Sequence, residues 1–187
     1  MAAAGALKQK AAPIRLLLLD VDGVLTDGGI IYEGVPGGGG GGEAEHKRFD
    51  IQDGMGIALA NRAGLMVGIL TGRTSPMVER RARELSMAVV KQGFMIKLDG
   101  FRQILDELHL DASHVAYIGD DVQDLPVLWR AGLSAAPANA VEDVRSQVDY
   151  VCRNRGGNGA VRELIDLLLS AKGIRDEVIA AVTGKKP

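Results

Sequence analysis

The sequence predicts an α/β fold with a parallel sheet and helices on both faces. Two observations carry that expectation. Short apolar, β-branched runs alternate with helically spaced stretches along most of the 187 residues. Asp20, Thr71 and Asp120 each stand where an apolar run stops, and in open parallel sheets ligands gather outside the carboxyl ends of strands.

Taken in order, the candidate strands are 14–19, 65–70, 88–90, 114–118, 133–135 and 150–151. Helical patterns lie near 53–63, 75–85, 97–108, 123–130 and 141–147, and 160–171 closes the fold. Ser75-Pro76 reads as an N-cap followed by proline at the first helical position. Asp53 reads as a helix cap. Residues 13–172 form the expected single domain, between a flexible N-terminus (1–12) and a C-terminal tail (173–187). One segment, 28–50, breaks the alternation. It reads as a β-hairpin whose tip, Gly37 to Gly42, is a loop; no Gly-Lys-Ser/Thr follows, as a phosphate loop would require. Gly54-Met-Gly56 is not a dinucleotide fingerprint either, because Leu59 occupies the third glycine position.

A formal net charge of −2 gives no general attraction to nucleic acid or to an anionic membrane. The lone cysteine, Cys152, has no internal partner and suits a reducing compartment. No apolar run approaches the length of a membrane span. A soluble, cytoplasmic protein is the expectation.

The chemistry concentrates in a few boxes. Asp20-Val-Asp22-Gly23 follows the run Ile14–Leu19 and puts two carboxylates on one side of an extended segment. Carboxylates held that close need a cation or a shared proton. Gly23 lets the chain leave the strand sharply. Thr71-Gly-Arg73 offers a hydroxyl and free N–H groups at a strand end, which suits a phosphate. Lys97 opens a helix, where its charge opposes the dipole, so a nearby anion explains it; Lys91 is the rival candidate. Gly119-Asp120-Asp121 and Asp124 form a second acidic strand end. Oxygen-only donors suit a hard cation such as Mg²⁺.

In this order the boxes resemble the motifs of the haloacid dehalogenase-like phosphohydrolases, over roughly residues 14–165. Among these, the chain is similar to the capless 3-deoxy-D-manno-octulosonate 8-phosphate (KDO-8-phosphate) phosphatases. That resemblance rests on Asp20-Val-Asp-Gly-Val-Leu-Thr-Asp-Gly28, Asp53-Gly-x-Gly56, Leu70-Thr-Gly-Arg73, Tyr117-Ile-Gly-Asp-Asp121, Val127-Leu-Trp-Arg-Ala-Gly-Leu-Ser134 and Gly156-Gly-Asn-Gly-Ala-Val-Arg-Glu163. It implies a Rossmann-like sheet without a cap domain and hydrolysis of a phosphorylated sugar acid. It also implies Asp20 as nucleophile, Asp22 as acid and then base, and Thr71 and Lys97 as ligands of the phosphoryl oxygens. Mg²⁺ would sit on Asp20, the carbonyl of Asp22 and Asp120, with Asp121 or Asp124 assisting through water. The substrate pocket would be lined by Asp50, Ile51, Gln52, Asp53 and Gly54, by Arg73 and Arg81, and by a neighbour's C-terminal tail.

Spacing agrees with the absence of a lid. Thr71 lies 51 positions after Asp20, and Lys97 lies 26 after Thr71; a separate lid domain needs on the order of 50 residues beyond those elements. A second subunit would have to cover the site, so a homo-oligomer is expected, a tetramer by the resemblance. Gln52 and Ala58 replace arginines common in that family, and Asn158 interrupts its Gly-Gly-Arg-Gly, which makes a nine-carbon, sialic-acid-type 9-phosphate the alternative substrate. Two alternatives of another class are a catalytically silent oligomerising domain and a phosphoacceptor receiver module. In a receiver the threonine and lysine follow the phosphoacceptor aspartate at a later strand end; here Thr71 and Lys97 precede Asp120.

Overall fold

Residues 2–34 and 43–184 are described by the structure, a computed structural model. Helix α1 (Ala2–Ala11) leads into β1 (Leu16–Leu19), and a hairpin of β2 (Ile31–Gly34) and β3 (Glu43–His46) follows. Then come α2 (Ile51–Arg62), β4 (Met66–Leu70), α3 (Pro76–Glu84), β5 (Val89–Lys91) and α4 (Lys97–Leu108). The second half runs β6 (Val115–Ile118), α5 (Leu125–Leu128), β7 (Leu133–Ala136), α6 (Glu142–Arg145), β8 (Tyr150–Val151), α7 (Ala160–Ala171) and α8 (Arg175–Thr183).

The four leucines of β1 are all buried, as a strand covered on both faces requires. Their side chains alternate between two cores. Leu17 and Leu19 pack with Ile57 and Ala60 of α2 and with Val161, Leu164 and Leu168 of α7. Leu16 and Leu18 pack with Phe101 and Ile104 of α4 and with Val127 and Leu128 of α5. The six expected strands form one parallel sheet in the order β5-β4-β1-β6-β7-β8. From β1 the chain moves outward through β4 and β5, then returns to β6 on the other side. That reversal opens a crevice at the carboxyl ends of β1, β4 and β6, where such sheets bind ligands. The hairpin stands apart as an antiparallel pair; its expected tip, 37–42, lies outside the described residues.

Three expectations change. The N-terminal stretch, read as flexible, contains α1: Leu7 and Ala11, four apart on one helix face, pack on the core beside α7. Lys172 Nζ also donates to the Ala12 carbonyl at 2.8 Å. The C-terminal tail contains α8, anchored by the buried Val178. Asp53 does not cap its own helix. Asp50 does, accepting from the N–H groups of Gln52 and Asp53 at 2.6 and 3.2 Å. Asp53 instead caps α7, accepting from Gly159 and Arg162.

Leu164, fully buried beneath β1, tests the α7 core. Leu164→Ala is expected to cost about 2–5 kcal/mol in urea unfolding through lost burial and a residual cavity; a cost below about 0.5 kcal/mol, typical of an open surface position, would contradict this packing.

Candidate active site

The crevice gathers residues from four strand ends. Asp20 follows β1 directly, and its N–H extends the ladder to the Ile118 carbonyl at 3.1 Å. Gly23 has φ +89°, and a Cβ there would run into the Asp120 carboxylate. Only glycine meets both conditions, so the Asp-x-Asp-Gly box is held against the second acidic strand end. Thr71 is buried at the end of β4. Lys97 opens α4 after β5 and sends a fully buried side chain back into the crevice, 2.9 Å from Asp20 Oδ2 and 2.5 Å from Asp124 Oδ1.

Asp124 organises this centre. Its Oδ1 accepts from Lys97 and from the Tyr117 hydroxyl, each at 2.5 Å. Its Oδ2 accepts from the N–H groups of Asp120 and Asp121 at 3.1 and 3.2 Å. Asp121 caps the same turn through the Val122 N–H and is itself exposed. Asp124, with all its acceptor capacity used, therefore fixes Lys97 and the Asp120 backbone, while Asp121 points away. Lys91, the rival lysine, pairs with Glu107 instead.

Electrostatically the centre is short of positive charge. Oxygens of Asp20, Asp120 and Asp124 lie within 4.8 Å of one another, with Lys97 as the cation among them. Burial pushes Asp20 up to about 6, against the pull of Lys97. Burial and the neighbouring Asp20 and Asp124 push Asp120 to about 7. Burial favours a neutral Lys97, yet the two carboxylates beside it hold its pKa above the usual lysine value. Tyr117, wholly buried against carboxylates, is held well above an ordinary phenol and stays a donor. A buried all-oxygen set with excess negative charge fits a hard divalent cation. Since Asp124 is committed, Asp20 and Asp120 are the carboxylates that could hold it.

Around the centre the expected residues divide. Asp22 faces the crevice rim, 2.5 Å from Lys47 Nζ and 3.5 Å from Arg73 Nε. Ile51 and Gln52 are exposed. Arg81 runs under the loop, within 3.5 Å of the Asp50 carbonyl, over the Phe49 ring and against Gly54, where any Cβ would strike it. A cavity of about 350 Å³ lies there, lined by Lys47, Phe49, Ile51, Met77, Arg80, Arg81 and Glu84. Asp53 was expected to line the pocket, but its side chain turns inward to α7 and only its backbone is on the loop. A larger cavity of about 700 Å³ lies elsewhere, beside α7, and meets this set only at Gln52. Sequence reading missed Tyr117 and Lys47. A tyrosine inside a buried strand must place its hydroxyl on a partner, which was a usable signal; Lys47 gave none.

Comparison with known proteins places the chain in a family. Residues 86–164 match the family model described as haloacid dehalogenase-like hydrolase. Over 168 residues the chain is 46% identical to the 3-deoxy-D-manno-octulosonate 8-phosphate phosphatase of Escherichia coli strain K12, covering 90% of this chain and 86% of that one. The crystal structure of the Moraxella catarrhalis 3-deoxy-D-manno-octulosonate 8-phosphate phosphatase, in complex with magnesium, phosphate and KDO, superposes with a TM-score of 0.88 at 40% identity, over 95% of this chain and 98% of that one. The cobalt-bound Haemophilus influenzae phosphatase gives 0.85 at 36% identity, over 95% and 100%. Identity of this order over nearly the full length of both chains has one meaning: the protein belongs to the 3-deoxy-D-manno-octulosonate 8-phosphate phosphatase family of the haloacid dehalogenase-like hydrolases.

Proposed function

We propose that the protein hydrolyses 3-deoxy-D-manno-octulosonate 8-phosphate to the free sugar acid and phosphate, with Mg²⁺ and through an aspartyl-phosphate on Asp20. The observation that carries this is the buried Asp20–Lys97–Asp124 array beside Asp120, at the sheet's switch point, in a chain with these relatives. An Asp20 oxygen attacks phosphorus as the bond to the sugar oxygen breaks, and Asp22 gives that oxygen a proton. Water then attacks the phosphorus, Asp22 takes its proton, and the Asp20–phosphorus bond breaks. Lys97 and the Thr71 hydroxyl hold the phosphoryl oxygens as charge develops. The carboxylates of Asp20 and Asp120 and the carbonyl of Asp22 would hold Mg²⁺, which neutralises phosphoryl charge when bound. Arg73, beside Asp22, and Arg81, against the Asp50–Gly54 loop, suit the carboxylate of a sugar acid.

The resemblance to this family further implies that the product is a precursor sugar acid for lipopolysaccharide. The buried thiol of Cys152 suits a cytoplasmic setting, and no helix among the described residues is long and apolar enough to cross a membrane. We further propose a homotetramer. Exposed Ile30, Ile31 and Tyr32 on the hairpin, and Ile51 beside the crevice at 82% exposure, support that assembly. Gln52 and Ala58, at positions where arginine is common in the family, favour the nine-carbon 9-phosphate as the second reading.

Phosphate release across a sugar-phosphate panel tests the substrate. The eight-carbon sugar acid phosphate should lead, and a preference for neutral sugar phosphates would refute the assignment. Asp20→Asn should reduce release to background while its circular dichroism stays wild type, and retained turnover would remove Asp20 from the nucleophile role. Mg²⁺ binding should also depend on pH. Burial pushes Asp20 up to about 6 and, with its carboxylate neighbours, Asp120 up to about 7, both above an ordinary aspartate. Without metal their contribution to stability is greatest at acid pH and is lost as pH rises through those values. The rise in Tm on adding Mg²⁺ should therefore grow from pH 5 to pH 8, and an equal rise at both would contradict the assigned ligands. Sedimentation should show a tetramer at micromolar concentration, and monomer alone would contradict the assembly.

A further inference from the structure

We infer that Lys47 is a positioning residue for the reaction, setting the orientation of the Asp22 carboxylate. The inference deepens the proposed function and rests on its reading of Asp22 as the proton carrier. Lys47 follows β3, and its side chain is only 2% exposed. A lysine so desolvated requires an anion at close range. It has Asp22 Oδ1 at 2.5 Å and Glu45 Oε1 at 3.7 Å. Arg73 completes a ring of alternating charge, with Nε 3.5 Å from Asp22 Oδ2 and its terminal nitrogen 2.5 Å from Glu45 Oε1. Each Asp22 oxygen thus faces its own cation, which defines the side-chain rotamer. The two cations differ in one respect. Arg73 is 43% exposed and borders solvent, whereas Lys47 is enclosed.

The backbone beside Asp22 is secured without this ring. Gly157 N–H donates to the Val24 carbonyl at 2.9 Å, and Asn139 Nδ2 donates to the Gly23 carbonyl at 3.0 Å. Asn139 Oδ1 also accepts from the Gly156 N–H at 2.6 Å. Loop position is therefore settled from the β7–α6 and β8–α7 connections, and Lys47 acts on the side chain alone. It reaches Asp22 from the end of the hairpin, so the insertion after β1 takes part in the chemistry.

An aryl phosphate separates the two proton transfers. With p-nitrophenyl phosphate, nitrophenolate leaves with the bonding electron pair and needs no proton as Asp20 takes the phosphoryl group. Release of phosphate still requires a base to take a proton from water. Lys47→Met is expected to show a burst of about one nitrophenolate per site followed by slow turnover. On the sugar phosphate its kcat should fall about a hundredfold, toward the level of Asp22→Asn, with KM little changed. Lys47→Arg should recover part of kcat. If Lys47→Met does not fold, as judged by circular dichroism, Lys47→Gln is read in the same way. Wild-type turnover without a burst in the Lys47 variant, alongside a burst in Asp22→Asn, overturns this inference alone. A raised sugar-phosphate KM with unchanged p-nitrophenyl phosphate kinetics also overturns it, by making Lys47 a substrate contact. Wild-type turnover of both substrates by Asp22→Asn overturns the reading of Asp22 itself.

Discussion

The buried ammonium of Lys97, held between Asp20 and Asp124, is the interaction on which the site depends. Taking an isolated charge out of water is costly, and removing one partner of such an array costs about 3–5 kcal/mol because the remaining charges are left uncompensated. The fold meets that cost with backbone and phenol donors converging on Asp124. Asp124 is thereby rigid, Lys97 is rigid against it, and Asp20 is presented beside a fixed cation. Gly23 and Gly119 allow the close approach: a Cβ on the first would meet Asp120, and on the second Asp124.

This arrangement also explains why a metal belongs here. One lysine does not balance three carboxylates, and burial first, then the neighbouring carboxylates, raises the pKa of Asp20 and Asp120. A dianionic phosphate would not enter such a field unaided. A divalent cation held by Asp20 and Asp120 would cancel that excess negative charge and keep the nucleophile ionised. Asp124 lies close enough to join the ligands but is already spent.

Most of the fold was legible because its signals are local. Ile14–Leu19 and His114–Ile118 are apolar runs that stop at acids, and their parallel pairing puts Asp20 and Asp120 together. Lys97 was legible from its awkward place at a helix start, and the structure supplies the expected anions, Asp20 and Asp124. What escaped was long-range. Nothing near Asp53 indicates that its partners are N–H groups 106 and 109 residues away. Nothing near Lys47 indicates that it reaches across 25 residues to Asp22. Helix α1 escaped because its alanine-rich sequence offers little more than Leu7 and Ala11 as an apolar face. Asp121 and Asp124 could not be separated by spacing, since only the folded turn shows which one bends inward.

The central claim is that Asp20, poised by Lys97, carries the phosphoryl group during turnover. Acid quenching during the reaction of a substrate radiolabelled in its phosphoryl group, followed by peptide mapping, tests it most directly. The account expects label on the peptide containing Asp20 and none in the Asp20→Asn variant. Label on a different residue, or turnover with no labelled protein at any quench time, would contradict it.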